Sequence, residues 1–120
     1  MADFNLGKAK CELRDYVDGV MAEYYWYFKK NGIDPFKDND EQIVKNFFEL
    51  NSMSEKPIVY CKSEDDYQKL MDRIYELRSY IKTDLLITID QLGNYGKIWM
   101  RNMEKNYPQK VEFMKNMAPT

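Results

Sequence analysis

The sequence predicts a mostly α-helical protein, a small single domain of about five helices over residues 1–120. Apolar residues recur at helical spacing in several segments, and glycine, proline or polar turns separate these segments. The length of 120 residues suits one domain. The hydrophobic fraction of 44% and the charged fraction of 32% are typical of a chain that folds around a core.

The first predicted helix covers residues 3–31, and Gly32 after it is placed as a C-terminal signal. Its apolar stripe contains residues spaced seven apart: Leu6, Leu13, Val20 and Tyr27. Because this stripe is longer than the shorter helices need, it predicts a homodimer through this helix. Tyr24, Tyr25 and Tyr27 are the candidate interface residues, since tyrosine is enriched at interfaces. The alternative is that these large residues fill a small core.

A second and a third helix are predicted in the middle of the chain. Residues 38–40 can cap a second helix that runs to about residue 52. The third helix begins after Ser63, and Asp66 three residues later completes a weaker version of the capping box. Between the two helices, residues 57–61 are rich in β-branched side chains, which predicts an extended segment.

Residues 84–92 fit two different structures. As a short buried strand, residues 85–89 would pair with residues 57–61 in a two-stranded β element. As a helix, residues 84–92 would continue the apolar periodicity of the segment that follows them. We favour the helix and keep the two-stranded element as the alternative.

The helix favoured for residues 84–92 continues into a stripe that contains Gly96, Trp99 and Met103. Gly96 has no side chain, so we expect another helix to approach closely there. A final helix is predicted around Pro108, because proline suits the first turn of a helix.

Catalytic and metal-binding chemistry is scarce in this sequence. The chain has no histidine, which excludes Ser-His-Asp and Cys-His nucleophilic systems and histidine-ligated metal sites. Carboxylates cluster at residues 38–41 and 64–66, where helix N-termini favour negative charge, so we interpret them as capping groups. We therefore predict no catalytic residue, no metal ligand and no cofactor, and a protein that is not an enzyme.

The cysteines and the N-terminus bear on the compartment. Cys11 and Cys61 are the two cysteines of the chain, and isolated cysteines favour free thiols in a reducing compartment. The first ten residues lack the apolar core of a signal peptide. No apolar run approaches the roughly 18 residues of a membrane span. The sequence predicts a cytoplasmic protein that does not insert into a membrane.

A basic stripe near the C-terminus is the main candidate binding site. Lys97, Arg101 and Lys105 recur at four-residue spacing on one predicted helix face. Residues 97–120 contain five basic and two acidic side chains, although the whole chain has a net charge of −2. Three cations on one face can contact phosphate groups of a nucleic acid or an acidic surface of a partner. The alternative is a solvated outer face of a core helix.

The same segment carries a resemblance to a known family. Its motif residues are Gly93, Tyr95, Gly96 and Lys97, then Met103, Glu104 and Lys105, then Pro108. This pattern resembles the central motif of the TnpV-like family, small proteins carried on bacterial transposons and conjugative elements. The resemblance covers about 16 residues, 93–108, and implies a mobile-element context.

These observations predict a non-enzymatic protein of mobile-element or phage type that binds a partner macromolecule, most simply another protein. Its size and its abundant tyrosine and methionine fit an anti-CRISPR-like inhibitor of a host-defence or nucleic-acid-processing complex. One alternative is a nucleic-acid-binding accessory factor that uses Lys97, Arg101 and Lys105. The other is a small-ligand-binding protein or an enzyme built from carboxylates and tyrosines.

Overall fold

The computed structural model of the chain describes residues 4–38, 40–81 and 89–117. These residues form five helices and no strand, which confirms the predicted mostly α-helical class. The helices are α1 Leu6–Asn31, α2 Gln42–Met53, α3 Glu64–Ser79, α4 Ile89–Asn106 and α5 Pro108–Met117.

Helix α1 lies at the centre and packs against α2, α3 and α4. It begins after Asn5, whose side-chain oxygen accepts a hydrogen bond from the backbone nitrogen of Lys8 at 3.0 Å. It ends at Gly32, whose φ of 67° lies in the left-handed region that glycine adopts without strain. The neighbouring helices of the same chain bury Leu13 and Val20 of the apolar stripe completely. Because the middle of the stripe is buried within one chain, its length does not require a second copy of the protein.

Helices α1 and α4 run side by side in the same direction. Gly19 of α1 lies against Gly96 of α4, and further along both helices Lys29 lies over the ring of Tyr107. A Cβ atom on Gly96 would overlap the backbone of α1, so the two backbones approach more closely than side chains allow. This confirms the expectation that Gly96 lets another helix approach.

Aromatic rings join α1, α2, α4 and α5 into one core. The ring of Phe47 in α2 packs edge-on against Phe28 of α1 and Trp99 of α4, with centroid distances of 5.5 and 6.4 Å. Phe48 on the same helix packs against Phe113 of α5 at 6.0 Å. Edge-to-face pairs of this kind add to the free energy gained by burying the rings. The abundant aromatic residues therefore serve the core to a large extent.

Helix α3 is attached to α1 through buried polar contacts. Glu23 is 0% exposed, and its carboxylate accepts two hydrogen bonds from the guanidinium of Arg78, at 2.8 and 3.0 Å. The hydroxyl of Tyr24 donates to the carbonyl of Leu77 near the end of α3. The amide of Asn46 in turn donates to the Tyr24 hydroxyl at 3.4 Å. These contacts satisfy polar groups that would otherwise be costly to bury.

The prediction of an extended segment at residues 57–61 is wrong, because these residues form turns. The backbone nitrogen of Ile58 donates to the carbonyl of Met53 at 2.9 Å, and that of Tyr60 donates to Lys56 at 2.9 Å. Hydrogen bonds over four or five residues form consecutive turns, which leave no ladder for a partner strand. The proposed pairing strand, residues 85–88, lies outside the described residues, and Ile89 already belongs to α4.

Helix caps follow the prediction at α3 and depart from it at α2. The Ser63 hydroxyl accepts from the backbone nitrogen of Asp66 at 3.2 Å, which confirms the predicted start of α3. At α2, by contrast, the N-cap is Glu41, and its side chain makes no capping bond. The carboxylate of Asp38 instead accepts from the backbone nitrogen of Asp34 at 2.9 Å, because residues 34–38 form their own turn.

Candidate functional site

An open groove runs between the C-terminal halves of α1 and α4, and we call it the α1–α4 groove. It encloses about 230 Å³. Its lining is mainly aromatic and apolar: Ala22, Tyr25, Trp26, Lys29, Tyr95, Trp99, Asn102, Met103 and Tyr107. Both tryptophans of the chain belong to this lining.

Helical spacing places these residues on one side of the helix pair. The α1 residues 22, 25, 26 and 29 and the α4 residues 95, 99, 102 and 103 each follow the three- and four-residue steps of one helix face. Ala22 is 1% exposed and has a short side chain, so it leaves space between the larger rings around it. The groove is therefore a product of parallel packing between two faces that are both rich in aromatic residues.

Two lysine ammonium groups lie against rings at one end of the groove. The ammonium of Lys29 is 5.3 Å from the ring centroid of Tyr25 and 5.7 Å from that of Tyr107. The ammonium of Lys110, from α5, is 4.9 Å from the Tyr107 centroid and 3.5 Å from the Tyr25 hydroxyl. Cation–π attraction to the ring of Tyr107 holds both charges near each other. This end of the groove is therefore positively charged.

The partial charges of two helix ends also act at this end of the groove. Both α1 and α4 end on this side, and the C-terminus of a helix carries partial negative charge that favours cations. Within the part of the chain that the structure describes, neither Lys29 nor Lys110 has a carboxylate at salt-bridge distance. Lys29 lies in the last turn of α1, whereas Lys110 lies in the first turn of α5, which does not favour a cation. Both ammonium groups contact rings, and no described acidic side chain neutralises them.

The aromatic lining includes polar atoms that stay uncharged or unpaired. Burial raises the pKa of the Tyr95 hydroxyl, and the nearby carboxylate of Glu23 raises it further, so this hydroxyl stays neutral. The indole nitrogen of Trp99 is buried and has no hydrogen-bond partner among the described residues. The Trp99 ring packs against Tyr25 and Phe47.

The predicted basic stripe lies on the exposed face of α4. The structure leaves Lys97, Arg101 and Lys105 all exposed, with Ile98, which is 58% exposed, beside Lys97. The ammonium of Lys97 is 3.5 Å from the carboxylate of Asp15 on α1. One of the three predicted cations is therefore partly neutralised by an acidic neighbour.

Further acidic groups lie near the stripe. Burial, together with the charges of Asp15 and Glu104, raises the pKa of the Asp18 carboxyl to about 6. The carboxylates of Asp15 and Glu104 create negative potential beside the stripe. This potential opposes the approach of a phosphate to the Lys97 end of α4.

The predicted interface tyrosines separate into different environments. Tyr24 is 0% exposed, and burial raises the pKa of its hydroxyl to about 12, so it is a core residue and does not fit a contact with another protein. Tyr25 is 6% exposed and lies in the wall of the groove. Tyr27 is half-buried and packs edge-on against Phe28. Of the three tyrosines, Tyr25 alone lines the α1–α4 groove, and its role as an interface residue stays a prediction.

Sequence reasoning missed Trp26, Lys29, Tyr95 and Lys110 as site residues. Trp26 and Lys29 share one face of α1, and their spacing was visible in the sequence. Nothing in the sequence indicated that this face lies beside Tyr95 of α4 or that Lys110 lies over the ring of Tyr107.

The acidic clusters and the cysteines fit structural roles. Asp66 accepts from the backbone nitrogen of Lys62 at 3.0 Å, and Asp65 pairs with Lys69 at 3.0 Å. Over residues 4–38, 40–81 and 89–117, no group of three or more cysteine, aspartate or glutamate side chains is arranged to hold a metal ion. Cys61 is buried and Cys11 is exposed, and both are free thiols.

The helices of the described residues include none with the length and apolar character needed to cross a bilayer. Comparisons of the chain with models of protein families, with curated proteins and with solved structures found no significant match. The resemblance of residues 93–108 to the TnpV-like family therefore stays a prediction from the motif itself.

Proposed function

We propose that this chain is a non-enzymatic protein that acts by binding another protein at the α1–α4 groove. The observation that supports the proposal is the groove itself, a concave surface with five aromatic rings and one methionine in its lining. Large aromatic residues are enriched at the centres of protein–protein interfaces, where they form the pockets that receive anchor residues of a partner.

The size of the groove favours a protein partner over a small molecule. Small-molecule sites usually enclose about 300–1,000 Å³ and cover most of the ligand surface. The α1–α4 groove encloses about 230 Å³ and is open to solvent along its length. This volume suits one large apolar side chain that projects from a partner surface.

We further propose that the partner belongs to a host-defence or nucleic-acid-processing complex, as an anti-CRISPR-like inhibitor requires. The resemblance of residues 93–108 to a transposon-borne family supports a mobile-element context. The small size of the chain supports a mechanism in which it occupies a surface of its target. A capture experiment can identify the partner protein.

The test is a capture experiment with a matched pair of variants. Asn102 is exposed and lines the groove, whereas Asn94 is exposed on the same helix and does not line it. Asn102→Trp should fill the groove, and Asn94→Trp adds the same side chain elsewhere. Photo-crosslinking in host lysate, followed by mass spectrometry, should recover one partner with the wild-type protein and with Asn94→Trp but not with Asn102→Trp. Recovery of the same proteins by all three would contradict the proposal.

A nucleic-acid-binding role remains the second candidate, because one observation favours it. Arg101 and Lys105 are exposed on α4, and among the described residues neither has a carboxylate at salt-bridge distance. Fluorescence anisotropy with single- and double-stranded oligonucleotides at low salt should detect binding that weakens as salt rises. Loss of that binding in the Arg101→Ala, Lys105→Ala double variant, but not in Lys62→Ala, would support this role. Absence of any binding at low salt would reject it.

A further inference from the structure

We infer that the partner segment that enters the α1–α4 groove is acidic. One large apolar side chain would occupy the groove, and neighbouring carboxylates of the same segment would contact Lys29 and Lys110 at one end of it. This inference rests on the proposed function, since it names the chemistry of the partner for the same groove.

The two ammonium groups lie close to the same two tyrosines. Lys29 and Lys110 come from different helices, yet both lie over the ring of Tyr107. Lys29 also lies over the ring of Tyr25, and Lys110 is 3.5 Å from the Tyr25 hydroxyl. Lysine side chains at a surface usually lose conformational freedom when they bind an anion. Here the rings already restrict both side chains, so less freedom remains to be lost when a carboxylate arrives.

The positive charge at this end of the groove is not balanced by any described carboxylate. Two ammonium groups beside the same rings repel each other, and no described carboxylate lies at salt-bridge distance from either. An acidic segment would relieve this repulsion and add attraction of its own. A basic segment would increase the repulsion, so the same two lysines select against it.

The lysines also distinguish an acidic peptide from a single-stranded nucleic acid. Nucleic acids bind such surfaces by stacking bases on free aromatic faces. Tyr25 is 6% exposed, and the ring of Tyr107 is already contacted by two ammonium groups. A base that stacked on Tyr107 would have to displace these cations, whereas a carboxylate binds them where they are.

A display selection tests the inference. A random-peptide library is selected on the wild-type protein and counter-selected on Asn102→Trp, in which the groove is filled. We expect the enriched peptides to share one large apolar residue with aspartate or glutamate nearby in the sequence. Binding of individual peptides can be followed by tryptophan fluorescence, because Trp26 and Trp99 are the two tryptophans of the chain and both line the groove.

Lysine variants provide the second measurement. The Lys29→Gln, Lys110→Gln double variant should weaken the selected peptides by about tenfold, since each partly exposed ion pair contributes modestly. Lys62→Gln removes one positive charge beside α3, and it should leave the affinity unchanged. An unchanged affinity in the double variant would overturn the inference.

The outcomes separate the inference from the proposed function. Enrichment of neutral or basic peptides would overturn the acidic partner while the groove remained a protein-binding site. If no peptide is enriched on the wild-type protein relative to Asn102→Trp, both the acidic partner and the protein-binding role of the groove are overturned. An oligothymidylate that shifts the tryptophan emission at lower concentration than the selected peptides would assign the groove to nucleic acid and overturn both as well.

Discussion

The backbone nitrogen of Gly19 in α1 occupies the space that a Cβ atom on Gly96 in α4 would need. The carbonyl of Leu92 likewise blocks a Cβ atom on Gly19 itself. The two helices therefore touch through backbone atoms at this crossing. This close approach of α1 and α4 determines how their C-terminal halves, which line the groove, face each other.

Gly96→Ala should destabilise the protein by about 2–3 kcal/mol, because the added methyl group has to push the α1 backbone away. Urea denaturation followed by circular dichroism measures this change in the free energy of unfolding. Gly7→Ala is the matched control, since a Cβ atom there would meet only the Asn5 side-chain oxygen at 3.6 Å. That control should be neutral or stabilise the helix by less than about 1 kcal/mol. Equal effects of the two substitutions would contradict the close crossing.

Arg78→Met should destabilise the protein by about 3–5 kcal/mol, because it leaves the fully buried Glu23 carboxylate without its partner. The Glu23→Met, Arg78→Met double variant removes both charges and should recover most of the loss. Thermal and urea unfolding of the two variants measure the difference. A double variant no more stable than Arg78→Met would show that the pair is not coupled as the structure indicates.

Tyr24→Phe should cost about 1–2 kcal/mol, because its hydroxyl donates to the Leu77 carbonyl and accepts from Asn46. Tyr27→Phe is the control on the same helix, since Tyr27 is only half-buried. It should change the free energy of unfolding by less than about 0.5 kcal/mol. Chemical denaturation of both variants tests which tyrosine belongs to the core. A larger effect at Tyr27 would be inconsistent with this arrangement.

Asp18→Asn should stabilise the protein at neutral pH but not at pH 4. The folded state raises the pKa of the Asp18 carboxyl from 3.8 to about 6, so it binds this proton more tightly than the unfolded chain does. The folded protein therefore loses stability as the pH rises from 3.8 to about 6, and the loss is complete above about pH 6. With allowance for partial solvent screening, we expect the variant to gain about 1–2 kcal/mol near pH 7.

Urea denaturation at pH 4 and pH 7 provides the measurement for Asp18. Asp72→Asn is the control, because Asp72 is exposed on α3 and its bond from Gln68 can persist with an asparagine. The control should show no comparable difference between the two pH values. A gain at Asp18 that is the same at both pH values would contradict a titrating carboxyl.

Features that depend on neighbours along the chain were predictable. The end of α1 at Gly32, the cap at Ser63 and the start of α5 at Pro108 follow from local hydrogen bonds and backbone preferences. Residues 57–61 show where such reasoning fails. Their β-branched side chains favour extended structure, but the connection between α2 and α3 folds into turns that bury Ile58 and Cys61.

The helices and several of their ends follow from the sequence, because they depend on residues a few positions apart. The tertiary structure alone decided that Tyr24 is buried, that Lys97 faces Asp15, and that α1 and α4 form a groove. The residues on its two walls are about seventy positions apart in the chain. Periodicity shows which face of a helix is apolar, but the neighbour of that face is chosen by the packing of all the helices together.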